Sequence, residues 1–383
     1  MSKMTFMEKL LDGVEVECKA LGKVLVRAKG TKITAGKMKE LNKEGAPLKI
    51  FAGGRTVAHV DFGDIPNKDV NTEPSIIVKS RGIIEFEYYD KPFSHKNEMW
   101  SYHSKNNSIN IKFVYHFLKL NEFYFQNLGR KMQMPQIATP DTDKFKIPIP
   151  CPNNPEKSLE IQSEIVRILD TFTELTAELT AELTARKKQY SYYRDQLLSF
   201  EEGEVEWKML GEAIKLQRGR RLVKSQLKVS GSYAVYQNSM TPLGYHSDSN
   251  VQADTAFVIC AGAAGEIGYS NVDFWAADDV HYLITPKNIE SKFAYYFLLT
   301  QQHKIMGQVR RASVPRLAKS AIERLDFPVP TIQEQTRIVF ILDKFDTLTH
   351  SISEGLPREI ELRQKQYEYY RDLLLSFPKP ETV

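Results

Sequence analysis

The chain has 383 residues, of which 42% are hydrophobic and 26% are charged, and its net charge is +4. This length predicts two or three domains, and no apolar run approaches the ~20 residues that span a bilayer, which argues against a membrane-spanning protein. The first residues lack the apolar core that directs export, so we expect a cytoplasmic protein. The three cysteines are far apart, which argues against a disulfide framework and a cysteine–zinc site.

Positive charge is concentrated in the first part of the chain. Residues 1–150 contain 24 Lys and Arg against 17 Asp and Glu, a difference of +7, whereas residues 201–330 contain 15 against 14. The segments 151–200 and 331–383 are each acidic, with 6 basic against 8 acidic residues and 7 against 9. A basic excess fits a polyanionic partner, but many soluble proteins share it.

An internal repeat organises the whole chain. Residues 165–172 recur as residues 338–345, and residues 189–200 recur as residues 366–377. The remaining segments repeat more faintly: residues 16–22 parallel residues 205–211, and residues 112–118 parallel residues 292–298. From residue 112 onward the offset is constant and matches Arg130 with Arg310. The predicted order is globular domain, helix, globular domain, helix, with the bounds 1–156, 157–200, 201–330 and 331–377.

Apolar residues spaced by three and four predict a long helix in each of the two repeated segments. The first helix runs from the first globular domain to the second, and the second helix starts at the second domain, so a packed pair is antiparallel with an approximate two-fold axis. A core helix inside a larger domain is the alternative interpretation. The residues expected at the helix-pair interface are Ile165, Ile168, Phe172, Leu175, Leu179, Leu183, Tyr193, Leu197, Ile338, Ile341, Phe345, Leu348, Tyr370 and Leu374.

Two features distinguish the middles of the two helices. In the first, the sequence Thr-Ala-Glu-Leu at 176–179 is repeated at 180–183. One such unit changes the length of a helix by about 6 Å, so the segment can act as a spacer of defined length. In the second, Pro357 predicts a kink, or a break with Pro357 near the first turn of a new helix.

These repeated segments resemble the DNA-specificity (S) subunits of Type I restriction-modification systems. The resemblance rests on the alternation of domains and helices, on the Thr-Ala-Glu-Leu units and on the repeated segments, and it covers nearly the whole chain. It implies an α/β (α+β) fold with two target-recognition domains, separated by two long antiparallel coiled-coil helices with pseudo-two-fold symmetry. It also implies a non-catalytic subunit that binds a bipartite, asymmetric target in double-stranded DNA.

The resemblance further implies partners. Two methyltransferase (M) subunits would dock on the helices, and restriction (R) subunits would attach to that core. S-adenosylmethionine, ATP and Mg would be bound by those partners, so no cofactor and no metal site are expected in this chain.

Candidate DNA contacts follow from residue type, because Arg and Lys bind phosphates and guanine while Asn and Gln pair with adenine. The candidates come from turn-rich stretches of both domains, and we expect about half of them to be ordinary surface charges. They are Lys29, Lys32, Arg55, Lys79, Arg81, Arg130 and Lys131 in the first domain and Arg218, Arg220, Arg221, Gln237, Asn238, Arg310, Arg311 and Arg316 in the second.

Two alternatives remain open from the sequence. A nuclease would use a carboxylate and a lysine spaced as in Glu17-Cys-Lys19 and Glu206-Trp-Lys208, although this spacing arises easily in a highly charged chain. A coiled-coil scaffold whose domains bind protein would show the same apolar stripe. DNA affinity that falls as salt rises separates the scaffold from the specificity subunit.

Overall fold

The computed structural model describes residues 10, 13–130, 133–201, 203–351 and 353–377, and the backbone alone of Lys224. The chain divides into two compact units, residues 1–178 with 360–383 and residues 179–359. Each unit therefore contains one globular domain and part of each long helical segment. Within the described residues, no helix has both the length and the apolarity required to cross a membrane.

The first unit is built on three sheets. Its elements are β1 (Val16–Ala20), α1 (Leu21–Val24), β2 (Val26–Lys29), α2 (Ala35–Leu41), β3 (Leu48–Phe51), β4 (Val57–Val60), the 3-10 helices Phe62–Asp64 and Asn67–Asp69, β5 (Ser75–Lys79), β6 (Glu85–Tyr89), β7 (Phe93–His95), β8 (Trp100–His103), α3 (Ile111–Leu120), α4 (Glu122–Gly129), α5 (Thr139–Asp143), β9 (Lys146–Pro150) and α6 (Pro155–Leu197), which continues into the second unit. The sheets have the strand orders β2-β8-β5-β6, β4-β3-β7 and β1-β9.

The second unit repeats this architecture. Its elements are β10 (Glu206–Met209), α7 (Leu210–Ala213), β11 (Lys215–Arg218), the 3-10 helix Lys224–Gln226, β12 (Tyr233–Tyr236), β13 (Gly244–His246), β14 (Thr255–Ile259), β15 (Ile267–Ser270), β16 (Trp275–Ala276), β17 (Val280–Ile284), α8 (Ser291–Thr300), α9 (Gln302–Gly307), α10 (Lys319–Glu323), β18 (Asp326–Val329), α11 (Ile332–His350) and α12 (Gly355–Leu375), of which the greater part belongs to the first unit. The strand orders β11-β17-β14-β15, β13-β12-β16 and β10-β18 match those of the first unit one for one.

The registers of the sheets also correspond. In the three-stranded sheets, β3 is antiparallel to β4 and parallel to β7, and β12 is likewise antiparallel to β13 and parallel to β16. In the four-stranded sheets every neighbouring pair of strands is antiparallel. The core strands β5 and β14 are apolar and buried because both faces are covered. Helices α3 and α8 cover one face of each sheet, and residues of the three-stranded sheet pack on the other. The predicted mixed fold with two similar domains is confirmed.

Each unit pairs the beginning of one long helical segment with the end of the other. In the first unit the rings of Phe172 and Tyr370 stack with centroids 5.2 Å apart, and in the second unit the rings of Phe345 and Tyr193 stack with centroids 5.6 Å apart. Phe172 and Phe345 are equivalent in the repeat, and so are Tyr193 and Tyr370. The same contact is therefore made twice with the roles of the two segments exchanged, as the predicted antiparallel pairing requires.

The expected break in the second helical segment is present. Helix α11 ends at His350 and α12 begins at Gly355, so Pro357 lies in the first turn, where its missing N–H needs no partner. Gly355 has φ +72°, and a Cβ at this position would lie 2.5 Å from the carbonyl oxygen of Thr347. Only glycine fits this close approach to the preceding helix. Ile352, in the apolar stripe, lies outside the described residues.

Candidate nucleic-acid interface

The candidate residues of the first domain gather where its central strands end. Lys29 ends β2, opposite Trp100 at the start of β8, and Arg81 follows shortly after the last residue of β5. The turn after β3 contains Arg55, and the carbonyl of Phe51 in this strand accepts a hydrogen bond from the amide of Lys96 at 2.9 Å. The strand order thus brings residues that are distant in sequence to one edge of the domain. We call this edge, which carries Lys29, Arg55 and Arg81 and the turns beside them, the loop face.

A cavity of about 830 Å³ opens on the loop face of the first domain. Its walls include Arg81, Gly53 and Gly54 from the turns, together with Lys39 and Asn42 at the end of α2. Thr31, next to the candidate Lys32, forms a bridge with Lys96, which also lines the cavity. The face is therefore a concave surface with cationic and amide groups rather than a set of isolated surface charges.

The second domain has an equivalent loop face. Arg218 ends β11, and its Nε donates to the carbonyl of Asp278 at 2.6 Å. The amide of Arg220 donates to the carbonyl of Ala276 at 2.9 Å, and the carbonyl of Arg220 accepts from the indole of Trp275 at 2.9 Å. The two bonds of Arg220 fix the local backbone, and the bond of Arg218 orients its side chain. The side chains of Arg218, Arg220 and Arg221 are all exposed.

Gln237 and Asn238 reach the same face because they follow β12 directly. The carbonyl of Asn238 accepts a hydrogen bond from the amide of Ala263 at 2.9 Å, and Gly262 lies against the same residue. Sequence reasoning missed Trp275 and its ring neighbour His246, with centroids 4.7 Å apart. The signal available in the sequence was Trp275 itself, a large aromatic residue directly after Phe274.

A loop hydrogen-bonded to a glycine turn completes each loop face. Arg310 and Arg316 pair through their backbones at 2.8 and 3.1 Å, and Arg316 also forms a bridge with Ala261. In the first domain Gln136, equivalent to Arg316, forms the corresponding bridge with Arg81. Arg130, Arg310 and Arg311 are exposed, and Lys131 lies outside the described residues.

One candidate has an environment that does not suit contact with DNA. The side chain of Lys79 is 8% exposed, and its Nζ lies 2.7 Å from Glu87 and 3.2 Å from Glu85. Burial opposes its charge, but the hydrogen bonds to these two carboxylates raise the pKa of Lys79, so its charge is neutralised inside the domain. We therefore correct this assignment and regard Lys79 as a structural residue.

The stripe expected at the helix-pair interface has two roles. Ile165, Ile168 and Ile338 are buried in the cores of the globular domains, as is Leu374, because each helical segment packs on a domain as well as on the other helix. Tyr193 is 38% exposed despite its stacking on Phe345. The other predicted interface residues are half-buried: Phe172, Leu175, Leu179, Leu183, Leu197, Ile341, Phe345, Leu348 and Tyr370.

Sequence reasoning missed the polar contacts that seat each helix on its domain. Gln162 and Gln335 are fully buried equivalents: Oε1 of Gln162 accepts from the amide of Asn110 at 2.9 Å, and Oε1 of Gln335 accepts from the amide of Glu290 at 2.8 Å. Each Nε2 donates at 3.0 Å to a carbonyl of the same loop, that of Ser108 or Asn288. The glutamine of each helix thereby recognises backbone groups of the domain, so the position of the helix does not depend on which side chains the domain carries there.

An ion pair seats each helix on its domain in the same way, about two turns further along the helix. Lys112 Nζ lies 2.7 Å from Asp170, and Lys292 Nζ lies 2.8 Å from Asp343. Both pairs fall in segments that the internal repeat matches, so a search for repeated charges could have found them. Burial would raise the pKa of Asp170, yet hydrogen bonds from His116 and Lys112 hold this pKa below its usual range.

Two other groupings contain side chains that catalytic sites use. Lys19 and Glu17 pair at 2.9 Å, and Lys208 and Glu206 pair at 3.1 Å, on strands at the domain surface. In each tripeptide the carboxylate and the lysine are paired with each other, and both side chains remain exposed to solvent. Cys260 Sγ lies 2.8 Å from Nδ1 of a buried histidine, but burial raises the pKa of Cys260 to about 12, which keeps the thiol protonated.

The sequence matches a known family model over most of its length. The model for the Type I restriction modification DNA specificity domain matches residues 14–186 and 202–362. The EcoR124I/EcoR124II specificity subunit of Escherichia coli is 39% identical over 408 aligned positions, which cover 100% of both chains. The EcoprrI specificity subunit of Escherichia coli is 34% identical over 386 positions, which cover 92% of this chain and 93% of that protein.

Solved structures agree with this assignment at the level of the fold. The crystal structure of a Type I restriction-modification system S subunit from M. genitalium matches with a TM-score of 0.68 at 20% identity, covering 98% of this chain and 100% of that one. A structure from work on assembly and conformational transition of the type I R-M system matches with a TM-score of 0.57 at 12% identity, covering 95% and 98%. These similarities give no support to the nuclease or to the scaffold. The chain belongs to the family of Type I restriction-modification DNA specificity subunits.

Proposed function

We propose that this subunit recognises an asymmetric DNA target in two separated parts, with each domain reading one half. The observation that carries the proposal is the repeated loop face. In both domains the same strand ends collect basic and amide side chains, on a frame whose strand order and helix contacts are equivalent. The side chains presented there differ, as Arg81 against Ala261 illustrates, so the two domains would read different bases.

The helical segments are the proposed docking sites for two methyltransferase subunits, with restriction subunits attached to that core. The repeat supports two copies of one partner. Tyr192 and Tyr369 are equivalent and are 64% and 65% exposed, and each lies edge-on to its neighbouring tyrosine. Exposed aromatic residues are the type that dominates protein interfaces, and here they occur in the same local arrangement twice.

Catalysis is proposed to reside in the partner subunits, which would bind S-adenosylmethionine, ATP and Mg. The contribution of this chain is to hold DNA in register with those sites. This division of labour accords with the buried thiol of Cys260, which burial keeps protonated.

The direct test is to co-express this chain with its methyltransferase partner in a host that lacks methylated adenine and to map methylated adenines genome-wide. We expect a two-part motif with unlike halves and a fixed gap, which disappears when the methyltransferase is expressed alone. An unchanged methylation pattern without this chain would refute the proposal. Co-purification of this chain with the methyltransferase is the control for assembly. If the two proteins co-purify, an absence of methylation cannot be attributed to a failure to form the complex.

A second measurement addresses DNA binding itself. Binding of the complex to a duplex that contains the mapped motif should weaken as salt increases, because basic side chains release counterions when they neutralise phosphates. A duplex with one half of the motif scrambled should bind more weakly than the intact duplex. Equal binding of the two duplexes at every salt concentration would refute the assignment of one half-site to each domain.

A further inference from the structure

We propose that residues 133–137 and 313–317 form a pair of equivalent DNA-groove loops, in which Met134 and Val314 make apolar contact with base edges while the arginines beside them hold phosphates. This inference rests on the proposed function and adds a specific element to it. Neither apolar residue was among the candidates that residue type had indicated, because only polar and basic side chains were considered there.

Met134 and Val314 are exposed at equivalent positions of the two domains. Met134 is 62% exposed and Val314 is 47% exposed, and the constant offset that matches Arg130 with Arg310 also matches these two residues. A single exposed apolar side chain is ordinary on a protein surface. Here the same position is apolar and exposed in two domains whose residues just before it differ, Lys-Met-Gln at 131–133 against Arg-Ala-Ser at 311–313.

Backbone hydrogen bonds hold both loops at the same place in their domains. The amide of Gly82 donates to the carbonyl of Pro135 at 2.9 Å, and the amide of Gly262 donates to the carbonyl of Pro315 at 3.1 Å. Both glycines have a positive φ, +75° and +77°. A position fixed by the backbone lets the side chain before each proline vary without displacing the loop.

A second pair of bonds anchors the residue that follows each loop tip. The amide of Ile137 donates to the carbonyl of Ser80 at 3.0 Å, and the amide of Leu317 donates to the carbonyl of Cys260 at 2.9 Å. Ile137 and Leu317 are themselves buried. Each loop therefore has a buried, hydrogen-bonded base and an exposed apolar tip, so the tip can make a contact without any change at the base.

The positive charge around the two apolar tips indicates what binds them. Exposed arginines flank the apolar tips, Arg130 before the first loop and Arg310, Arg311 and Arg316 around the second, and Arg81 lines the cavity beside Met134. Duplex DNA offers the complementary surface, because anionic phosphates flank a groove whose floor carries the apolar methyl group of thymine. An apolar side chain between arginines fits this surface, whereas an apolar protein groove would leave the arginines unpaired.

The two tips are not identical, which suits unlike half-sites. In the first domain Ile83, which is 50% exposed, lines the same cavity as Met134 and enlarges the apolar contact. The residue equivalent to Ile83 in the second domain is Ala263. The first loop would therefore cover a larger apolar area of the groove than the second, and the two loops would favour different base pairs.

The test uses the full chain in complex with its methyltransferase partner and a duplex that contains the mapped motif. Met134→Ser and Val314→Ser each remove an apolar contact without changing charge. We expect each variant to bind about tenfold more weakly or worse. Hydroxyl-radical footprinting should show protection lost in one half of the motif for Met134→Ser and in the other half for Val314→Ser. The dependence of affinity on salt should not change, since no phosphate contact is removed.

Matched controls separate groove contact from a general effect. Val272 is 61% exposed and follows β15 at the end of the sheet opposite the loop face, so Val272→Ser should leave affinity and footprint unchanged. Met134→Leu and Val314→Ile keep an apolar tip and should restore most of the binding. Melting temperature and co-purification with the methyltransferase are measured for every variant.

Three results would overturn the inference. The first is unchanged affinity and full protection of both halves in the serine variants. The second is a loss of binding that parallels a fall in melting temperature or in methyltransferase binding, because the effect is then on folding or assembly. The third is a wild-type complex that methylates no two-part motif, which overturns the proposed function and this inference with it. The first two results leave the proposed function standing.

Discussion

The two domains differ most on the loop face and least where each receives its helix. Gln162 and Gln335 each make two hydrogen bonds to equivalent backbone groups. The ion pairs of Lys112 and Lys292 with their helix carboxylates have nearly equal lengths, 2.7 and 2.8 Å. This agreement indicates that the helix position is a shared mechanical requirement. The proposed function calls for this division, because the two domains would read different half-sites while both helical segments would dock the same kind of partner.

The loop faces are shaped differently even at equivalent backbone positions. Among the residues that the structure describes, none would lie within 4 Å of a Cβ at Gly82, whereas a Cβ at Gly262 would lie 2.7 Å from the carbonyl oxygen of Asn238. The first domain has its open cavity beside Gly82, and the second domain has Asn238 against Gly262. The same turn thus borders a cavity in one domain and a polar residue in the other.

The largest expected effect comes from the length of the first helix, which is continuous from Pro155 to Leu197. Deletion of residues 180–183 shortens this helix by about 6 Å and turns its end by about 40°. We expect methylation of the original motif to be lost and replaced by a motif with the same two halves and a shorter gap. Methylated-adenine mapping measures this directly.

A change in the half-site sequences after this deletion would contradict the separation of helix and loop face. Substitution of residues 180–183 by four alanines is the matched control, because it keeps the length and the helical conformation. This variant should retain the original gap.

The next largest effect concerns the buried glutamines. Replacement of Gln335 by Leu leaves the amide of Glu290 and the carbonyls of Asn288 and Pro330 without their partner. Unpaired buried groups cost about 1–3 kcal/mol each, so we expect the free energy of unfolding of this unit to fall by about 3 kcal/mol. Denaturant unfolding, monitored through hydrogen exchange of the backbone amides of helix α8, measures the loss of unfolding free energy.

Gln162→Leu should destabilise the first unit by a similar amount, since its amide makes the equivalent contacts. Gln333→Leu, at an exposed position of the same helix as Gln335, should change stability little. Strongly unequal losses for Gln162 and Gln335 would show that the two helix seats are not equivalent.

A smaller effect is expected from acidification of the first unit. The pKa of Asp170 is lowered in the folded chain, so its contribution to stability is present above about pH 4 and is lost as the pH falls further. The stability difference between the wild type and Asp170→Asn should therefore be about 1 kcal/mol at pH 7 and shrink toward pH 3. Thermal unfolding across this pH range measures it, and a difference that stays constant would contradict the role of the charged carboxylate.

The smallest effect concerns single phosphate contacts. Arg130→Gln and Arg310→Gln should each weaken DNA binding severalfold and reduce the slope of log affinity against log salt by about 0.9, because one counterion fewer is released. Lys79→Met is the matched control, since Lys79 is buried against Glu85 and Glu87. This variant should lower stability and leave the salt slope unchanged, whereas a reduced slope would return Lys79 to the set of DNA contacts.

Much of the fold could be predicted from local pattern. The helical repeats at 165–172 and 338–345 were recognisable because their apolar spacing is set by residues close in sequence, and Pro357 marked the break through its own chemistry. The residues of the candidate DNA-binding site were harder to predict from the sequence than the fold. The burial of Lys79 depends on its pairing with strand β6, and the exposure of Met134 depends on the distant turn at Gly82, so neither could be read from neighbouring residues.

The claim that each domain reads its own half-site is tested most directly by duplicating one domain. In a chain where residues 14–150 replace residues 203–330, both helix seats are kept and both loop faces are those of the first domain. Methylated-adenine mapping of this complex should give a motif built from two copies of the half-site that the first domain reads. Persistence of the second original half-site in that motif would contradict the account.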